Sequence, residues 1–118
     1  MHVTRQQSVL IFALGTVLNS LRSRVKPPLS ISLSKSAFID IVLKTGIIGV
    51  KDRELYRLLE VLEEKNIVQY DGLSLLLSPR GEKSFLGIVK TISPFLKVQN
   101  SLANKIPSSS KTRTVLSL

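Results

Sequence analysis

The sequence contains no cysteine and no tryptophan, only one histidine and few aromatic residues. Without cysteine the chain forms neither disulfides nor thiolate metal sites, and cysteine usage says nothing about its redox compartment. The single histidine, His2, lies at a chain end, where side chains are usually mobile. A Ser-His-Asp triad would depend on this one residue, so we expect neither a triad nor a metal site.

The sequence also lacks a phosphate-binding glycine loop and a dinucleotide-binding glycine pattern. Glu60, Glu63 and Glu64 are close together on a predicted helix, but nothing in the sequence removes them from solvent. Neighbouring carboxylates of this kind usually form a solvated helix face. We therefore predict that the protein is not an enzyme and needs no cofactor.

Acidic residues are absent from residues 1–39 and from residues 83–118, although the net charge is +9. All eight of them lie between Asp40 and Glu82. A strongly basic chain attracts polyanions at long range. The central segment, residues 40–82, is however not itself basic, which counts against a nucleic-acid surface in this segment.

A length of 118 residues and a hydrophobic content of 43% suit one small folded domain. We predict this domain over residues 1–106. The remaining residues, 107–118, are short of apolar side chains and carry no helix signal, which predicts a disordered tail.

The first helix is predicted to begin at Thr4 or Ser8. Its centre, VLIFALGTVL, is apolar on nearly all sides, which is typical of a helix buried in a core or against a second subunit. A signal peptide is the alternative, but no small-x-small cleavage site follows. The polar run from Asn19 to Arg24 ends the apolar stretch before the about 20 residues of a membrane span. We expect no membrane span and a cytoplasmic location.

Residues 29–34 alternate between apolar residues and serine, which predicts a half-buried strand. Ser34 or Ser36 can then cap a helix that ends at Gly46. We predict that this helix turns Phe38, Ile41 and Val42, with Ala37 as a further candidate, towards the core.

A helix, a hairpin and another helix are predicted over residues 51–85. Leu55, Leu58, Leu59 and Leu62 recur at helical spacing and predict one buried row. Asp71-Gly72 is a strong hairpin signal, and a two-residue loop there pairs Tyr70 with Leu73 and Val68 with Leu75. Ser78 can cap the next helix and Pro79 can take its first position.

The last helix carries a broad apolar surface, and Pro94 is predicted to break or kink it, with a further helix after it. A domain of this size has limited room to bury this surface as well as the first helix. We therefore predict a homodimer that forms through the N- and C-terminal helices.

The run LEEKNIV at residues 62–68 followed by LSPRGEKSF at residues 77–85 resembles the wing region of MarR- and PadR-like winged helix-turn-helix transcription regulators. The resemblance implies an α+β fold, mostly helical, in which the strand at 29–34 joins the hairpin in a small three-stranded antiparallel sheet. It also implies a small sequence-specific regulator that binds double-stranded DNA, with helix 51–65 in the major groove.

Arg53 and Arg57 could then reach guanine or a phosphate, and Tyr56 a phosphate or a thymine methyl group. The alternatives are an ion pair of Arg57 with Glu54 or Glu60, and partial burial of Tyr56. Lys51 belongs to the same first turns of this helix, which would meet the base edges. The remaining candidates for contacts to the DNA are four basic residues that would set register rather than sequence: Lys35, Lys44, Arg80 and Lys83.

No Lys or Arg lies between Asn66 and Pro79, so insertion of the wing into the minor groove is not expected. The acidic second half of helix 51–65 would also repel phosphate. The alternative function is therefore a winged-helix adaptor that binds a protein in a transcription or replication assembly. A further reading is association of the basic termini with an anionic membrane surface.

Overall fold

The computed structural model describes residues 4–25 and 32–105. These residues are mostly helical and include a small two-stranded antiparallel sheet. In chain order the elements are α1 (Arg5–Arg24), α2 (Lys35–Thr45), α3 (Asp52–Glu64), β1 (Val68–Tyr70), β2 (Leu75–Leu77) and α4 (Pro79–Lys105).

The chain divides into two compact units, Met1–Ile88 and Val89–Leu118. The first unit contains all the buried apolar side chains of the described residues, up to Phe85. This boundary comes earlier than residue 106, where we predicted that the single domain ends. The predicted tail, residues 107–118, lies outside the described residues.

Helix α3 is the centre of the first unit, where it contacts α1, α2 and β1. Its buried row consists of Leu55, Leu59 and Leu62, as predicted, whereas Leu58 is only half-buried. The helix ends at Glu64 with Lys65 as its C-cap, and the next residue, Asn66, has a φ of 60° that reverses the chain. The Ile67 N–H then donates to the Leu62 carbonyl at 2.9 Å, which is the bond of a Schellman motif.

Helix α1 is capped by Thr4, one of the two residues at which we predicted that it begins. The Thr4 hydroxyl accepts a hydrogen bond from the Gln7 N–H at 3.1 Å, and the Gln7 side chain accepts one from the Thr4 N–H at 3.0 Å, so the two residues form a capping box. The residues of α1 that are buried in the first unit follow the helical repeat: Gln7, Leu10, Ile11, Leu14, Gly15 and Leu18.

Helix α2 is capped by Ser34, whose hydroxyl accepts from the Ala37 N–H, and ends at Gly46 with a φ of 66°. Both ends were predicted. Phe38 and Val42 are buried, but Ile39 takes the place predicted for Ile41, which is exposed, as is Ala37. Helix α2 is rotated about its axis relative to the prediction. Ile39 and Val42, three residues apart, lie on the side that faces α3, and Ile41 does not.

The hairpin forms in a different register from the one predicted. Val68 pairs with Leu77 and Tyr70 with Leu75, two positions from the predicted partners. The Asp71 carboxylate accepts hydrogen bonds from the Leu73 and Ser74 N–H groups at 2.9 and 2.8 Å, so the turn centres on Gly72-Leu73. Gly72 has a φ of 95°, which a first central residue of a type II′ turn requires. A shift of two keeps each side chain on its predicted face.

The sheet is two-stranded over the described residues, so the predicted third strand is not present there. The Leu33 carbonyl accepts one hydrogen bond from the Leu75 N–H at 2.8 Å. One residue later Ser34 begins the cap of α2. Residues 29–31, which belong to the predicted strand, lie outside the described residues.

The joint between the hairpin and α4 is closely packed. Ser78 is fully buried, and its hydroxyl both accepts from the Gly81 N–H at 3.0 Å and donates to the Asn66 carbonyl at 2.6 Å. A Cβ atom at Gly81 would overlap the Ile67 carbonyl oxygen. A glycine in the first turn of α4 therefore lets the helix lie directly against the hairpin.

Helix α4 continues through Pro94 to Lys105, so the prediction of a break at this proline is wrong. Proline has a φ close to the helical value, and its cost comes from one missing N–H and the clash of its ring with the preceding turn. These losses are local, and the helix is formed on both sides of Pro94.

Candidate nucleic-acid interface

The outward face of α3 carries the residues that we predicted to contact DNA from this helix. Arg53 and Arg57 are one turn apart and exposed, on the side of the helix opposite Leu55, Leu59 and Leu62. The buried row therefore sets the direction in which both guanidinium groups project. Tyr56, at the edge of this face, is half-buried, as its alternative interpretation predicted.

The N-terminal end of α3 combines both signs of charge. Lys51 precedes the helix in an extended conformation and is exposed, and its side chain makes no capping hydrogen bond. Asp52 instead accepts from the Arg53 N–H at 2.8 Å. Asp52 and Glu54 in the first turn suit the positive end of the helix dipole. They also reduce the local positive charge beside the two arginines.

Arg57 pairs with Glu54, with 3.6 Å between Nη1 and Oε1. Glu54 was one of the two partners considered for Arg57. Both side chains are more than half exposed, and ion pairs of this type contribute little to stability. Arg57 can therefore exchange Glu54 for a phosphate at small cost. Within the described residues the Arg53 side chain makes no ion pair.

Lys35 is held by the protein itself. Its ammonium group lies 3.1 Å from Glu63 Oε1 and 3.2 Å from Oε2, and 4.3 Å from the centre of the Tyr70 ring. Both charged side chains are only 25% exposed. Since the cation is shared between a carboxylate and an aromatic face, Lys35 ties α2 to α3 and β1, and a phosphate contact would compete with both interactions.

The other candidate cations lie on α2 and α4. Lys44 pairs with Asp40 at 3.0 Å on the exposed side of α2. Arg80 donates to the Lys65 carbonyl at 3.3 Å from the first turn of α4, and Lys83 is exposed on the same helix. Of these residues, Lys44 and Lys83 keep charged groups that can turn towards a polyanion.

The second half of the outward face is acidic. Glu60 and Glu64 follow Arg57 at one-turn intervals and are exposed. An open depression of about 560 Å³ runs along this face and is lined by Arg53, Glu54, Tyr56, Arg57 and Glu60. Its walls are exposed polar side chains of one helix, so it is a surface feature and does not enclose a ligand.

The hairpin tip is acidic and apolar. The Ser74 and Leu73 N–H groups hold the pKa of the Asp71 carboxyl below its usual value of 3.8, because both hydrogen bonds favour the ionised form. Leu73 at the tip is 75% exposed, and Leu76 on the outer face of β2 is 41% exposed. This surface offers no cation to DNA, in keeping with the sequence.

Sequence reasoning missed two polar links to the ends of α3. The Lys65 ammonium group donates to the Gln7 side chain at 3.2 Å, and Gln7 is 6% exposed. The Lys35–Glu63 pair joins residues 28 positions apart. No local signal reveals either link, because both depend on how the helices are placed in space.

Comparison with known proteins finds no family model that matches the chain, no curated protein similar to it and no solved structure similar to it. Within residues 4–25 and 32–105, no group of three His, Cys, Asp or Glu side chains is arranged to hold a metal ion. No helix in these ranges combines the length and the apolar character that crossing a bilayer requires.

Proposed function

We propose that the protein is a small winged helix-turn-helix regulator that binds double-stranded DNA, with the N-terminal half of α3 in the major groove. The observation that carries the proposal is the exposure of Arg53 and Arg57 on the face of α3 opposite its buried leucines. In helix-turn-helix proteins the first turns of the second helix meet the base edges. A cytoplasmic location accompanies this proposal.

The division of charge along α3 limits how the helix docks. Arg53 and Arg57 suit guanine N7 and O6 or a phosphate, whereas Glu60 and Glu64 repel the backbone. A helix that enters by its N-terminal end brings the arginines to the bases and keeps the glutamates away. In the docking we propose, the axis of α3 is therefore steeply inclined to the major groove, and residues 51–57 lie deepest in it.

Phosphate contacts in this proposal come from exposed cations on α3 and the neighbouring helices. Lys51 precedes α3, Lys44 lies in the last turn of α2, and Lys83 and Arg80 lie on α4, where Arg80 donates to the Lys65 carbonyl at the C-terminal end of α3. Such contacts set the position of the protein on the duplex without reading sequence. Lys35, which we predicted among them, would have to leave Glu63 and the Tyr70 ring to contact a phosphate.

The proposed regulator is a homodimer, since operators commonly consist of two half-sites about 34–36 Å apart. We predicted that both terminal helices form the dimer. Leu10, Ile11, Leu14 and Leu18 of α1 are buried within the first unit, so they are not available to a partner. Of the two terminal helices, α4 is the one that exposes large apolar side chains among the described residues: Leu86, Phe95, Leu96, Val98 and Leu102.

The test is the affinity of the full chain for mixed-sequence and selected duplexes, measured by fluorescence anisotropy at several salt concentrations. With about six phosphate contacts, the logarithm of the association constant should fall with that of the salt concentration with a slope near −5. The double variant Arg53→Ala/Arg57→Ala should lose at least about tenfold in affinity, as one good bidentate contact contributes about 1–3 kcal/mol.

The matched control is Lys90→Ala/Lys97→Ala, which removes the same charge from exposed positions of α4. Both double variants should melt within a few degrees of the unmodified protein, because surface substitutions change stability little. Equal losses of affinity in the two double variants would show that Arg53 and Arg57 act only through the net charge of the protein. Unchanged affinity in the arginine variant would remove α3 from the interface.

A protein-binding adaptor is the second candidate function, and the hairpin favours it. Leu73 and Leu76 expose apolar surface beside Asp71 at a position where DNA-binding wings carry cations. If the chain binds no duplex at low salt, and Leu73→Ser abolishes capture of one identified protein partner while Arg53→Ala does not, the adaptor assignment replaces DNA binding.

A further inference from the structure

The second half of α4 exposes more large apolar side chains than any other described segment of its length. Phe95 is 73% exposed, Leu96 46%, Val98 57% and Leu102 60%. Isolated exposed apolar residues are ordinary, but a contiguous row marks a surface that meets another molecule.

Phe95 and Leu102 belong to a regular seam, which Leu96 and Val98 flank. Along α4 the spacing alternates between three and four residues, as it does in the a and d positions of a coiled coil. The seam residues are Phe85, Ile88, Ile92, Phe95, Gln99 and Leu102. With Phe85 assigned to an a position, Gln99 also falls at a, while Phe95 and Leu102 fall at d.

The first seam position is covered inside the chain and the later ones are not. Phe85 is 6% exposed, its ring centre lies 5.8 Å from that of Phe12, and its ring fills the space above Gly15. From Phe95 onward the seam is open to solvent. The same helical stripe therefore has its partner, α1, at the N-terminal end and none within the described residues at the C-terminal end.

The opposite face of this segment is polar and carries charge of one sign. Lys90 and Lys97 lie at the positions farthest from the seam, and Asn100, Ser101 and Asn104 continue this face. Residues 89–105 contain no acidic side chain. Two such helices can join along their seams and keep their lysines apart on the two outer faces.

We propose that α4 pairs with α4 of a second copy, from Ile88 to Leu102, as a parallel and in-register two-stranded coiled coil. Gln99 decides the orientation. In a parallel pair, residues at a face residues at a, so each Gln99 amide meets its symmetry mate and hydrogen bonds to it. In an antiparallel pair it would face apolar d residues and stay unsatisfied.

The surface available is at the lower limit of what a specific contact needs. The exposed parts of Ile92, Phe95, Leu96, Val98 and Leu102 of two copies together offer roughly 800–1,000 Å². Specific interfaces begin at about 1,000–1,200 Å². The inference specifies the homodimer named under the proposed function, and it is tested without DNA so that either assignment can fail alone.

Cross-linking is the direct test, since the chain has no cysteine of its own and one introduced residue is unique. In separate variants of the full chain, Ile92→Cys and Gln99→Cys should both form an interchain disulfide within minutes of mild oxidation. Lys97→Cys, on the outer face, is the matched control and should remain largely monomeric on a non-reducing gel.

The pattern of cross-links separates the possible arrangements. Residues 92 and 99 are about 10 Å apart along the helix, so an antiparallel pair brings at most one of them next to its own mate. Cross-linking at only one of these positions, or equal cross-linking of Lys97→Cys, overturns the parallel seam.

Sedimentation gives an independent measurement. The unmodified protein should sediment at micromolar concentration as twice the 13.1 kDa chain. Phe95→Asp should sediment as a monomer, because it places two carboxylates in the seam, whereas the charge-matched control Asn100→Asp, on the outer face, should remain a dimer. A monomeric unmodified protein overturns the proposal. So does a monomer that instead binds vesicles of phosphatidylcholine and phosphatidylserine, which would identify the seam as a membrane-surface contact.

Discussion

The apolar rows of α3 and of the second half of α4 have the same helical periodicity and opposite burial. Leu55, Leu59 and Leu62 are at most 1% exposed, whereas Phe95 and Leu102 are 73% and 60% exposed. Helix α3 lies between α1, α2 and β1, and the second half of α4 belongs to a separate compact unit. Periodicity thus identifies the apolar face of a helix that is expected to be covered, but not the segment or molecule that covers it.

The largest expected effect comes from shortening one leucine in each row. Leu59→Ala should lower the free energy of unfolding by about 2–5 kcal/mol, because it leaves a cavity in a closed core. Leu102→Ala should act only through the proposed pairing of two α4 helices. Thermal melts at several protein concentrations distinguish the two effects.

For Leu59→Ala the fall in melting temperature should be the same at every concentration. For Leu102→Ala it should shrink on dilution, as the unmodified dimer also dissociates. A concentration-independent loss for Leu102→Ala comparable to that of Leu59→Ala would mean that Leu102 is covered within its own chain.

A smaller effect compares two glycines at either end of the α4 segment that belongs to the first unit. Gly81→Ala should destabilise the protein by roughly 1–3 kcal/mol, because the added methyl group overlaps the Ile67 carbonyl oxygen and backbone must move. Gly87→Ala is the control, since nothing lies within 4 Å of the added Cβ, and it should stabilise the helix by about 0.5–1 kcal/mol.

Urea unfolding of both glycine variants measures this pair. A loss of stability in Gly81→Ala and a gain in Gly87→Ala would show that the tight contact between the hairpin and α4 lies in the first turn of the helix. Similar stabilisation by both substitutions would show that the joint around Ile67 is looser than the structure indicates.

The smallest effect concerns Asp71 at the hairpin turn. Its pKa is lowered in the folded protein by the Ser74 and then the Leu73 N–H groups, so ionisation favours folding. This contribution is fully present above the unfolded value of about 3.8 and is lost as the pH falls through the lower folded pKa.

Asp71→Asn keeps an acceptor oxygen and removes the charge. We expect a slightly lower melting temperature than that of the unmodified protein near neutral pH, and a difference that vanishes as the pH is lowered towards about 2. A difference that persists in acid would assign the effect to turn geometry and not to the carboxylate charge.

Local signals predicted the helix ends well. Thr4, Ser34 and Ser78 cap the helices that they were expected to cap, and Gly46 ends α2. A cap bonds to backbone groups two or three residues away, so a few neighbouring residues determine it. The buried row of α3 was predicted for the same reason, apart from the half-buried Leu58.

Features that depend on two distant segments were not predictable in the same way. The hairpin register was wrong by two positions because the Asp71 carboxylate bonds the following backbone and moves the turn by one residue. The pairing of Lys35 was not predicted, because Glu63, which lies within reach of its ammonium group, is far away in the chain. The side of α2 that is buried likewise depends on where α3 lies.

The sequence by itself determined where α1, α2 and α4 begin, where α2 ends, which residues form the buried row of α3 and where charge of each sign is concentrated. These properties arise from contacts within about one helical turn, or simply from composition. Only the tertiary structure decided which stripe became a core and which stayed open, and which cations remained exposed. Those outcomes depend on which distant segment comes to lie against each face, and chain order does not encode this locally.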